Sequence, residues 1–266
     1  MKTTFKSLSY VMYFLVTQVI AVTGLMFWKM TTDNDWFESV GDCLVNGEGV
    51  FSMRYFSLIS EILFPALIIA DLLIIIPIMI VAAKKQVKVF RGITFPAFSS
   101  LVILAGALNM VISCIVEIIP ESKLMSDYAQ LTEVLTSGDF GVVLIASGIL
   151  APIVEELIFR YGFIYLNKDK DLRKVVFLSS LAFGIAHMNP VQSTYAFLLG
   201  LVLGYVYIKS DFNLTSTVLM HVVINSTSVI FEYAIVPVKL VLLVLGVLSI
   251  LAVIYQSMLS YNKKKV

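Results

Sequence analysis

Residues Ala151 to Arg160 read APIVEELIFR and sit inside an apolar run, with Gly141 to Ile153 upstream and Tyr161 to Leu166 downstream. The run is long enough to cross a bilayer, yet it carries Glu155, Glu156 and Arg160. Ionisable groups at membrane depth cost roughly 2.5–3.5 kcal/mol each on insertion scales, so a chain keeps them for pairing or for function. On a helix, positions i and i+4 share a face, which pairs Glu156 with Arg160. Glu155 is rotated by about 100° from Glu156 and has no counter-ion on its own helix. The spacing therefore predicts one carboxylate neutralised by Arg160 and a second left free. The plainer alternative is that all three residues knit a helix bundle together.

Composition sets the class. Of 266 residues, 59% are hydrophobic and only 14% charged. A soluble domain carries nearer a quarter charged. With several apolar runs of about 20 residues, the chain is expected to be an all-α polytopic membrane helix bundle. A net charge of +1 identifies no partner by itself, and the dispersed basic residues carry no nucleic-acid-binding motif. Cys43 lies in a polar loop and Cys114 in an apolar run, so no disulfide is expected between them. The first apolar run ends at Lys29 without a small-residue cleavage site and is taken as a span rather than a removed signal.

About eight transmembrane helices are expected: Ser9–Trp28, Phe56–Ala82, Ile93–Ile119, Phe140–Leu166, Val175–Met188, Thr194–Ile208, Leu214–Phe231 and Ala234–Leu259. Threading them alternately puts fourteen Lys and Arg on one side and four on the other, Lys29, Arg54, Lys123 and Lys239. Positive residues favour the cytoplasmic side, so both termini are expected there. The poor side also holds most acidic loop residues, among them Asp33, Asp35, Glu48 and Asp139. Three units follow: residues 1–139 with three spans and extracellular loops, a catalytic core at 140–232, and a last span with a basic tail at 233–266. Between spans three and four, Leu124, Tyr128, Leu131 and Leu135 recur at helical spacing, as for a short surface helix serving as a connector or a lid. Gly200 and Gly204 permit close helix contact within the bundle. Pro152, three residues before Glu155, removes a backbone donor and is expected to bend span four.

The two histidines, His187 in FGIAH and His221 in HVVIN, both lie in spans. His187 follows Phe183 by four residues, and His221 precedes Asn225 by four, so each pair shares a helix face. Counted at 1.5 Å per residue, Glu155, His187 and His221 fall roughly 10–18 Å from one membrane edge. Three groups at similar depth are expected to surround one wet pocket. There a carboxylate can strip a proton from water, with His187 positioning that water. His221 and Asn225 can stabilise the oxyanion of an attacked carbonyl. The same residues can instead hold zinc through Glu155, His187 and His221. Glutamate-activated water, with no cofactor required, is the favoured alternative. Asp71, mid-span in IIADLLIII, is taken as a supporting partner for a histidine or Asn225, or as a buried tie to another helix.

EELIFR, FGIAH and HVVIN resemble the EExxxR, FxxxH and HxxxN elements of the CAAX prenyl protease and bacteriocin-processing family, also called the Abi or type II CAAX endopeptidase family. The resemblance spans about Phe140 to Phe231. It implies an intramembrane endopeptidase opening towards the cytosol. In it Glu155 is the base, His187 holds the water, His221 and Asn225 form the oxyanion pair, and Glu156 and Arg160 form the structural pair. It also implies a membrane-associated peptide or protein as partner, with bacterial relatives linked to peptide maturation or bacteriocin self-immunity; the compact chain, with no readable targeting signal, is expected in a bacterial plasma membrane. Two other functions fit the same residues: a non-catalytic scaffold or immunity protein that binds a peptide, and a transporter with a Glu/His relay.

Overall fold

The computed structural model describes residues 2–45 and 53–263. Glu48 of the first loop and the terminal Lys264 and Lys265, used in the charge count, lie outside them. In chain order the helices are α1 (Lys2–Thr32), α2 (Asn34–Val45), α3 (Met53–Lys84), α4 (Phe95–Glu117) and α5 (Lys123–Thr136). They continue as α6 (Phe140–Asn167), α7 (Leu172–Ala186), α8 (Pro190–Lys209), α9 (Leu214–Tyr233) and α10 (Val236–Lys263). The protein is an all-helical, multi-pass membrane bundle. Seven of these helices, α1, α3, α4, α6, α8, α9 and α10, are long and apolar enough to cross a bilayer. The expected fifth span is the exception: α7 has only 15 residues, about 22 Å of rise against a hydrocarbon core of about 30 Å. It ends at His187.

In lipid, apolarity does not sort helix faces; packing and hydrogen bonds do. α6 is the centre. Half of its most apolar window is buried, against 6% for α10 and 11% for α4, which pair at the periphery. α6 packs on α1, α3, α7 and α9, and Leu157 to Ile164 are all buried. α7 and α8 form a close hairpin through glycines. A Cβ on Gly200 would come within 3.0 Å of the Ser180 side chain, and one on Gly204 within 2.8 Å of Val176. The two glycines thus serve internal packing, as expected. The hairpin turn is tight: Met188 adopts φ 52°, and Asn189 Oδ1 accepts the N–H groups of Val191 and Gln192 at the start of α8.

The stretch from Lys29 to Arg54 was expected as a polar loop. It holds a helix, α2, whose start was written in the sequence: Asp33 Oδ1 accepts the Trp36 N–H at 2.9 Å, a standard N-cap. The Trp36 indole donates to the Leu58 carbonyl, and Lys29 pairs with Asp33 and Glu61, tying α1 to α3. Cys43 and Cys114 are free. The expected surface helix is α5, capped by Ser122. It contacts α3, α6, α8 and α9, and Tyr128 meets the edge of Tyr195 on α8.

Candidate active site

α6 is not a plain α-helix. Residues 144–150 and 157–164 form π-helical stretches, and Pro152, Glu155 and Glu156 lie on the α-helical turns between them. Interruptions of this kind recur at functional sites. A π turn asks the N–H of residue 152 to meet the carbonyl of 147; an α turn asks it to meet that of 148. Residue 152 is proline and has no N–H. Helix α9 reaches both carbonyls: Asn225 Nδ2 donates to Ser147 at 3.1 Å and Ser226 Oγ to Gly148 at 3.1 Å. The sequence contained the signal for Ser147 and Ser226, a proline four and five residues beyond two span carbonyls, but nothing along the chain names the helix that answers it.

The expected pair on α6 is present. Arg160 Nε donates to Glu156 Oε2 at 2.9 Å, with both side chains fully buried. The guanidinium also lies over the Phe183 ring, 5.2 Å from its centre. Glu155 differs: its side chain is 15% exposed, so it alone of the three has access to solvent or substrate. It is not without a partner, however. His221, buried on α9, stands between the two glutamates, with Nδ1 3.1 Å from Glu156 Oε1 and Nε2 3.5 Å from Glu155 Oε2. A carboxylate only accepts, so Nδ1 carries the hydrogen towards Glu156. At 3.5 Å the second contact is proximity rather than a bond, and Glu155 Oε2 is buried without a hydrogen-bond partner.

His187 joins through Phe183. Its Nδ1 lies 2.8 Å from the Phe183 carbonyl and its ring meets the Phe183 edge at 4.8 Å. The same phenyl ring meets His221 at 5.7 Å. Donation from Nδ1 to a carbonyl leaves Nε2 of His187 as an acceptor. Asp71, 1% exposed on α3, neighbours Glu155 and Gln18; none of the described hydrogen bonds joins it to a histidine or to Asn225. The structure thus puts Glu155, Glu156 and His221 in one cluster, with His187 across Phe183, Asn225 one turn beyond His221, and Asp71 on the α3 side.

Residues 137–227 match the family model described as type II CAAX prenyl endopeptidase, Rce1-like. That stretch is similar to the family's domain. The match covers about a third of the chain and includes Glu155, His187, His221 and Asn225. Comparison with curated proteins and with solved structures gave no match.

A zinc site needs three or more ligand atoms converging on one point. Among the described residues no group of three or more His, Cys, Asp or Glu side chains is so placed. His221 turns its two nitrogens to two different carboxylates, and His187 gives Nδ1 to a backbone carbonyl. As placed, these donors do not converge on a point where a zinc ion would sit.

Proposed function

We propose that this protein is an intramembrane endopeptidase that hydrolyses a peptide bond of a membrane-associated peptide or protein, using water activated by Glu155. The observation that carries this reading is Glu155, whose side chain is partly accessible while its buried Oε2 faces His221 without a hydrogen-bond partner, in the stretch similar to the Rce1-like domain. Glu155 takes a proton from water as the oxygen attacks the carbonyl carbon, and the C=O electron pair moves onto oxygen. His187, across Phe183, shares in positioning that water. The oxyanion falls to His221 carrying hydrogen on both ring nitrogens, Nδ1–H towards Glu156 and Nε2–H towards the oxyanion, and to the second amide hydrogen of Asn225, the first being held by Ser147. When the C–N bond breaks, Glu155 returns its proton to the leaving amine, so no acyl-enzyme forms.

Glu156 supports this work without sharing it. Its two oxygens are engaged by Arg160 and His221, so it fixes the imidazole's orientation. A bacterial plasma membrane and a substrate without a prenyl group belong to the same reading. The test compares the peptides of membranes carrying wild type and Glu155→Gln. Peptides that appear only with wild type identify the substrate. Identical peptidomes would remove the protease reading in favour of a scaffold, and flux in proteoliposomes would favour a transporter.

A further inference from the structure

We infer that Asp71 is a further catalytic residue, whose free Oδ1 accepts the second hydrogen of the water that Glu155 activates. The inference rests on the hydrolytic reading above. Asp71 lies mid-span on α3 in a buried stripe with Ala70, Ile74 and Ile78. A carboxyl at that depth is costly, and this one is incompletely tied. Gln18 of α1 is within hydrogen-bonding reach and Glu155 is near enough for the two charges to interact, but Oδ1 is buried with no partner.

Buried acceptors are nearly always satisfied. Among the described acceptors that are not, Asp71 Oδ1 and Glu155 Oε2 belong to neighbouring groups on helices in contact, α3 and α6. Two orphan acceptors call for a donor with two hydrogens, and water is the smallest. A water that gives one hydrogen to each carboxylate turns its lone pairs away from both, towards an incoming carbonyl carbon. In the reaction one O–H bond breaks, its proton goes to Glu155, and the new C–O bond forms. The other O–H stays intact and bound to Asp71, so Asp71 gains no proton. Glu155 then passes its proton to the amine as the C–N bond breaks, and the balance closes.

The test uses the full-length protein in its membrane and the Glu155-dependent peptides from the comparison above. Asp71→Asn keeps the volume and the reach to Gln18. It is expected to slow formation of those peptides about a hundredfold with unchanged membrane level and melting temperature. Added to Glu155→Gln, it should cause no further loss. Asp71→Leu guards against misfolding: it removes a buried charge, so it is expected to melt no lower than wild type and to be inactive. Gln18→Ala is expected to keep most activity. Wild-type rates in Asp71→Asn or Asp71→Leu would overturn the inference while leaving Glu155 as the base. So would a Gln18→Ala variant with the same loss and a lowered melting temperature, because Asp71 would then be only a tie to α1. If no peptide depends on Glu155, the hydrolytic reading fails, and the inference with it.

Discussion

The side-chain amide of Asn225 donates to the carbonyl of Ser147 at 3.1 Å, the carbonyl that Pro152 leaves without a backbone donor in the π register. A residue expected at the oxyanion is therefore also a clamp between α9 and α6, and in the proposed reaction its second N–H is the one left for the oxyanion. Losing the clamp leaves a carbonyl short in an apolar bundle, at about 1–3 kcal/mol. Asn225→Ala should lower the melting temperature in detergent by a corresponding amount. In a Pro152→Ala background the same substitution should cost less, because residue 152 then has an N–H of its own. An equal cost in both backgrounds would show that the proline does not create the vacancy.

Glu155→Gln keeps shape and removes the proposed base. Since the Glu155 side chain is 15% exposed and makes no hydrogen bond through Oε2, the variant should insert, fold and melt like wild type. Its proteolysis should fall to background. Retained cleavage would dismiss Glu155 as the base.

Glu156 and Arg160 answer differently. Both are fully buried, and removing one leaves the other charged and unmatched, at about 3–5 kcal/mol. Glu156→Ala and Arg160→Ala should each show low yield and early melting. Paired removal should cost less than the sum, because the residues are in direct contact. Additive losses would mean that the two charges are satisfied separately.

The α7–α8 hairpin makes a packing prediction. Val176 Cγ1 lies 2.8 Å from where a Cβ on Gly204 would stand, so Gly204→Ala should destabilise by about 1–3 kcal/mol. Val176→Ala should relieve most of that loss. Melting curves of the two single variants and the double variant decide it. No relief would mean that the helices separate rather than repack.

How much of this was legible in the sequence varies by residue. The Glu156–Arg160 pair, the α5 helix, the glycine contacts and seven of the eight expected spans follow from local spacing. α2 was missed although its Asp33 cap was visible, because a polar stretch between two spans reads as a loop. α7 was assigned to a span from its apolarity, but its 15 residues are too few to meet the thickness of a bilayer.

What the sequence determined by itself is whatever 3.6 residues per turn can fix: which residues share a face within one helix, and that the helices belong in lipid. What only the tertiary structure decided is which helices bring their polar groups together. His221 stands between two glutamates 65 and 66 residues before it. Asp71 neighbours Glu155 rather than a histidine, and Asn225 turns to Ser147. The physical reason lies in the spans themselves. A helix that is apolar on every side carries no stripe to tell its inward face from its outward one. Its rotation about its own axis is set by small residues, a missing proline donor and a few buried hydrogen bonds, all of which have meaning only once the neighbouring helices are in place.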